Sequence, residues 1–262
     1  MGILNVTPDS FSDGGRYQSV DLAIKQALQM IEEGAAFIDL GGESTRPGAV
    51  GVSSQEELDR VLPVVEGLRK ESPVMISIDT SNPVLMLEAA KLGANLLNDV
   101  RSFSRPGALK AAAATGLPIC IMHMRGEPSS MQQQTNYTNV VAEVKSWLAE
   151  RLQVCVAAGI DQQKILLDPG FGFAKLLPHN LALLANLNKL LALGQPLLVG
   201  MSRKRMLGAI TGKPALERDA ASLAAHLLAA QQGASILRIH SVAGLKDALQ
   251  VWQATRQALS LT

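Results

Sequence analysis

Short apolar runs alternating with amphipathic stretches, eight times over, predict an α/β chain folded as a closed (β/α)8 TIM barrel. Each apolar run leads to a residue that can hydrogen-bond or ionise, and glycines repeatedly separate an amphipathic stretch from the next run. The length of 262 residues matches the roughly 250 of one such barrel. Residues 1–262 are therefore expected to form a single domain, with the active site at the C-terminal ends of the strands.

The first run, Ile3-Leu4, ends at Asn5, and a long loop separates it from the helical set Leu22, Ala23, Ala27, Met30 and Ile31. Phe37-Ile38 ends at Asp39, Ile76-Ser77-Ile78 at Asp79, and Leu96-Leu97 at Asn98. Ile119-Cys120-Ile121-Met122 ends at His123. The segment Arg125–Asn139 then reads as a long loop, before a helical face of Val140, Val144, Trp147 and Leu148. Ile165-Leu166-Leu167 ends at Asp168, Leu197-Leu198-Val199 leads to Ser202, and Ile236-Leu237-Arg238-Ile239 closes at His240. Gly34, Gly93, Gly116, Gly159, Gly194 and Gly233 are placed as helix stops. Strands this continuously apolar imply a parallel sheet covered by helices on its outer side. A polar strand end can simply cap a turn, but eight of them gathered at one rim point to a site.

Bulk properties exclude several functions. With 24 basic and 23 acidic residues the net charge is +1, so no long-range field exists to hold nucleic acid. The uncharged stretch 220–237 is broken by His226, Gln231 and Gln232 and reads as a packed helix running into a strand, with no membrane span. Cys120 and Cys155 lie in apolar surroundings and read as reduced core residues of a cytoplasmic protein, and no signal peptide is visible. His123, His179, His226 and His240 lack zinc-ligand spacing. Magnesium, held through Asn5 and the phosphates of a substrate, is the cation expected.

Two loops are longer than their connections require. The first, Asn5 to Gly15, carries the lone ring of Phe11 among turn formers and the carboxylates Asp9 and Asp13; a ring in such company can cover a bound substrate. The second, Gly41 to Gly48, brings Arg46 beside the stiffening Pro47, as a lid closing on an anion would. After the seventh run, Ser202 is placed as a helix N-cap whose free amides, with Lys204 nearby, face an anion. Alternation puts Arg238 and His240 on the interior side of the eighth strand. There Arg238 meets either an anionic or planar ligand or an internal carboxylate, Asp168 or Asp79. Asp79, Asn98 and Asp168 suit a flat heterocycle that presents an amino group and a ring N–H together. Paired carboxylates could alternatively act as acid and base on a glycoside, which would leave the basic cluster idle.

With those residues in place, the chain resembles the dihydropteroate synthase family of pterin-binding enzymes over essentially its whole length. The resemblance is carried by Asn5-Val6-Thr7-Pro8-Asp9-Ser10-Phe11-Ser12-Asp13-Gly14-Gly15 and Gly42-Glu43-Ser44-Thr45-Arg46-Pro47-Gly48. Asp79-Thr80, Asn98-Asp99, Met122-His123-Met124, Asp168-Pro169-Gly170-Phe171-Gly172-Phe173, Ser202-Arg203-Lys204 and Arg238-Ile239-His240 follow in order. It implies that Asp79, Asn98, Asp168 and Lys204 hold a pterin edge, with Met122 lining the site and Arg238 against the ring. Asn5, Arg46, Arg238 and His240 would hold pyrophosphate with Mg2+. Phe11, Pro47, Phe173 and Lys204 would surround p-aminobenzoate, its carboxylate at Ser202, while Thr45 positions the second loop. The arylamine would displace pyrophosphate from the pterin methylene, with Asp13 stabilising the cation or taking the amine proton. A homodimer is implied, pairing through the segment 216–230 and the last helix near Val251-Trp252. Two departures stand out. Ser241 follows His240 where the family has aspartate, and the family's N-terminal hairpin is not visible ahead of strand one. A corrinoid methyltransferase barrel and a non-catalytic pterin-binding module are the competing readings.

Overall fold

Parallel pairing runs in chain order through β1 (Gly2–Asn5), β2 (Phe37–Gly41), β3 (Met75–Asp79), β4 (Leu96–Asp99), β5 (Ile119–Met122) and β6 (Ile165–Asp168). This computed structural model describes residues 1–6, 16–43 and 52–259. β7 (Leu198–Val199) and β8 (Ile236–Leu237) pair with each other. Parallel bridges Leu167↔Leu197 and Gly2↔Ile239 join the two sheets at both edges. The Ile3 N–H donates to the Ile239 carbonyl at 3.1 Å, and the Ile239 N–H to the Met1 carbonyl at 2.9 Å. The sheet is therefore the closed eight-stranded barrel that the sequence predicts, which leaves no strand edge open among the described residues.

Helices α1 (Arg16–Glu32), α2 (Ser54–Glu71), α3 (Pro83–Lys91), α4 (Ala108–Thr115) and α5 (Val140–Ala157) cover the first strands. α6 (Leu177–Ala185), α7 (Arg205–Thr211), α8 (Asp219–Gln231) and α9 (Val242–Leu259) follow. Local chemistry explains several starts. Ser53 caps α2, Asn82 caps α3 with Pro83 behind it, and Asn139 caps α5, each accepting a backbone N–H of the first turn. All six glycines read as stops have positive φ, from 66° at Gly116 to 103° at Gly34. The core joins the outward faces of the strands (Ile38, Leu40, Ile76, Ile78, Leu97) to Ala23, Ala27 and Met30 of α1 and to Val61, Val65 and Leu68 of α2.

Three local expectations need correction. Leu22 is 42% exposed, because the buried stripe of α1 runs through Ala23, Ala27 and Met30 and Leu22 lies off that face. β2 does not end at Asp39 but continues through Leu40 to Gly41, which places Asp39 one layer deeper in the barrel. The loop after β5 is also less loose than its composition suggests. It contains a 3-10 turn, Met131–Gln133, and Met131 is buried with Met122, Met124 and Ala174.

Candidate functional site

Strand register sets Asn5, Gly41, Asp79 and Asn98 side by side at the C-terminal rim. Beneath them Asp39, fully buried, accepts from the Ser77 hydroxyl at 2.5 Å, the Arg238 Nε at 2.5 Å and the Asn98 Nδ2 at 3.4 Å. Arg238 also donates from Nη2 to Asp79 at 2.9 Å. The interior salt bridge allowed by the sequence is therefore present. It uses Asp79 and the unforeseen Asp39, while the other candidate, Asp168, is not bonded to Arg238. Burial opposes the Arg238 charge, but the two carboxylates outweigh it and hold the pKa above its usual value. Burial pushes Asp79 up to about 7, against the lowering pull of Arg238. Asp168 is raised by burial too, opposed by Lys204 and by the Gly170 N–H that bonds it at 2.7 Å. Asp79, half-buried and bonded by Arg238, and Asp168, buried and bonded by Gly170, keep acceptor capacity for a ligand edge rich in N–H groups.

On the opposite wall, the Lys204 ammonium donates to the Phe171 carbonyl and lies 4.5 Å from the centre of the Phe173 ring. Burial lowers Lys204 to about 8, with Asp168 opposing. Phe173 packs on the small apolar cluster that includes Met122, so these two predicted substrate contacts share one wall.

Ser202 does not cap a helix. Arg203 adopts a left-handed φ of 59°, α7 starts only at Arg205, and Lys204 occupies the cap position without a side-chain cap bond. The Ser202 hydroxyl instead contacts His240 Nδ1 at 2.8 Å and accepts the His240 backbone N–H at 3.2 Å. That contact joins the ends of the seventh and eighth strands. Arg203, turned outward, makes a two-pronged bond to Asp219 at 2.8 and 2.9 Å, and Arg218 donates to the Arg203 carbonyl at 3.1 Å. The turn that presents Lys204 is thus fastened to the start of α8.

Other supporting residues were not singled out from the sequence. Glu43, at the stem of the second loop, pairs with Arg101 and Arg105. Buried Glu57 accepts from Thr80 at 2.6 Å, and Asp99 accepts the Arg101 and Phe103 N–H groups at 2.8 and 2.6 Å. The second members of the Asp79-Thr80 and Asn98-Asp99 pairs make these contacts, and nothing in the sequence assigned them a role of their own. Phe11, Asp13, Thr45, Arg46 and Pro47 lie outside the described residues. A cavity of about 600 Å3 lined by Phe103, Arg105, Lys110 and Arg151 is elsewhere, with no strand-end side chain in its wall.

Comparison with known proteins finds relatives over nearly the whole chain. The family described as pterin binding enzyme matches residues 1–240. The dihydropteroate synthase of Escherichia coli (strain K12) is 54% identical over 258 residues, spanning 98% of this chain and 92% of that protein. The crystal structure of Yersinia pestis dihydropteroate synthase with a sulfonamide drug has a TM-score of 0.94 at 51% identity, covering 98% of this chain and 94% of that one. The structure of Xanthomonas albilineans dihydropteroate synthase with 4-aminobenzoic acid has a TM-score of 0.92 at 49% identity, covering 98% and 92%. The family match runs from the first residue to the histidine after strand eight, taking in every strand end described above, and the chain belongs to the pterin binding enzyme family.

Proposed function

We propose that the barrel mouth joins p-aminobenzoate to the methylene of 6-hydroxymethyl-7,8-dihydropterin pyrophosphate, forming 7,8-dihydropteroate and releasing pyrophosphate. This makes the chain a dihydropteroate synthase, a transferase of folate biosynthesis, with residues 1–262 as one pterin-binding domain. The observation that carries the reading is the pair of carboxylates with raised pKa, Asp79 and Asp168, set beside Asn98, Lys204 and Arg238. A pterin edge supplies further N–H groups to these carboxylates, while Lys204 donates to the ring carbonyl.

Breaking the C–O bond puts positive charge on the methylene and negative charge on the departing pyrophosphate. Asp79 and Asp168 stabilise the first, and Arg238, His240 and Arg46 the second. The Phe173 ring and Lys204 form one side of the p-aminobenzoate site, and Phe11, Thr45 and Pro47 are assigned to its cover. Asp13 is assigned to the cation or to the amine proton. Ser202, bonded to His240, serves the aminobenzoate carboxylate through its hydroxyl; the helix amides expected behind it are not there.

Magnesium fits the rim only in part. Asn5 offers a neutral oxygen there, but Asp39 and Asp79 are taken by Arg238, and no cluster of three His, Cys, Asp or Glu side chains occurs among the described residues. Asn5 would hold the ion together with pyrophosphate oxygens and water, and the ion would supply charge neutralisation for the leaving group. Two chains are proposed to pair through the segment 216–230 and α9, where Leu216, Leu228 and Val251 are exposed. A cytoplasmic location is in keeping with the two free, buried cysteines. No helix among the described residues is long and apolar enough to cross a membrane.

The test is turnover. Mixing the pterin pyrophosphate with p-aminobenzoate and Mg2+ should yield dihydropteroate and pyrophosphate in equal amounts, less of both when Mg2+ is chelated. Tight pterin binding without product would leave a binding module only.

A further inference from the structure

Lys175, in the loop between β6 and α6, is buried and has no part in the chemistry proposed above. Its ammonium faces His123 Nδ1 at 2.8 Å, the Gly170 carbonyl at 2.9 Å, the Phe173 carbonyl at 3.0 Å and the His123 carbonyl at 3.3 Å. A protonated Lys175 uses its three N–H groups on the three shortest contacts, with His123 Nδ1 as an acceptor.

The loop is wound around that nitrogen. Gly170, Gly172 and Ala174 take φ of 69°, 80° and 52°, so every second residue is left-handed and carbonyls that would otherwise diverge turn inward. Ala174 has a side chain and resists this conformation, so something must hold it there. The loop also presses close to β5, since a Cβ at Gly170 would lie 1.9 Å from the His123 carbonyl oxygen. Burial lowers the Lys175 pKa well below the ordinary lysine value, with Asp168 opposing, so the converged acceptors are a condition of its charge.

The same loop supplies the Phe173 ring 4.5 Å from Lys204 and the Phe171 carbonyl that Lys204 bonds. Asp79 and Asn98, by contrast, are held by their own strands and by Arg238 and Asp39. We propose that Lys175 is a positioning residue, a buried cation that gathers the loop carbonyls and His123 so that the Phe173 ring stands where the arylamine must lie, while Asp168 is held by β6 and Lys204 by the turn fastened to α8. This role rests on the synthase reading above.

Lys175→Met, measured beside the unaltered enzyme with each substrate varied in turn, tests it. The KM for p-aminobenzoate should rise about 10-fold or more while the KM for the pterin pyrophosphate stays within about 3-fold. Adding Ala174→Gly should recover part of the loss, because glycine adopts the left-handed conformation without the cation. A lower kcat with both KM values unchanged means fewer folded molecules and overturns the proposal, as does an equal rise in both KM values. If the methionine variant does not fold, Lys175→Gln, which keeps two N–H donors, takes its place: a rise in the p-aminobenzoate KM alone supports the role, and any other pattern overturns it. An unaltered enzyme that forms no dihydropteroate removes the reaction itself, and this role with it, before any variant is compared.

Discussion

Asp79 and Lys204 titrate on either side of the middle of the neutral range. Burial pushes the carboxyl up to about 7, and burial lowers the ammonium to about 8 with Asp168 opposing. Pterin binding needs the first ionised and the second protonated. On the acid side kcat/KM should therefore rise with pH through about 7 as Asp79 loses its proton, and above about 8 it should fall as Lys204 loses its own. Asp39, Asp168 and Arg238 share the field, so each limb belongs to the coupled set more than to one residue. Arginine stays charged beyond about pH 12, so Lys204→Arg should remove the alkaline fall whatever it does to the maximum. A profile of kcat/KM from about pH 6 to about pH 9.5 checks this, and an unchanged alkaline limb in the variant would contradict it. At this scale the sequence marked the strand-end residues that share a rim and left open which of them pair and what they do to one another. Period-2 alternation placed Arg238 in the interior, yet its pairing with Asp39 depends on β2 running on to Gly41, two residues past the apparent strand end.

Among the elements, α8 is tied to the end of the seventh strand through His226. Its Nε2 accepts the Met201 N–H at 3.2 Å, so Nδ1 carries the proton and donates to the Ser222 carbonyl at 2.7 Å. Burial lowers its pKa from 6.5 to about 4, the backbone bonds opposing. The unfolded chain binds the proton first on acidification. The stability linked to His226 is therefore complete above about 6.5 and is lost as pH falls toward 4, by at most about 3 kcal/mol. His123, lowered to about 2 by burial, adds to the same slope. Urea unfolding at neutral pH and near pH 4.5 should show this loss, and His226→Gln should reduce the difference without abolishing it. An unchanged difference would mean the imidazole is not buried neutral. Sequence periodicity located this helix, where His226 read only as a polar break in an uncharged stretch. The expected cap at Ser202 failed for a related reason. A left-handed turn at Arg203, which is not a glycine, delays α7, and no residue type advertises it.

At the scale of the whole molecule, closure was legible because it follows from eight repeats of one pattern, and the short β7 and β8 weaken only the pairing labels. The outer surface was less legible, since an apolar helix face serves equally to cover a barrel or to meet a partner. The exposed Leu216 and Val251, 78% and 70% accessible, favour pairing. Sedimentation at micromolar concentration should report two chains, and Leu216→Glu with Val251→Glu should return one; a monomeric unaltered protein would refute the pairing. Convergence of the strand ends on one ligand is the claim on which the rest depends. Its most direct test is kcat/KM for dihydropteroate formation by the unaltered protein, Lys204→Ala and Arg238→Ala. Each substitution should lower it by about 100-fold or more, near 3 kcal/mol for one well-placed charge contact. Near-normal turnover in both variants would contradict the assignment of this site.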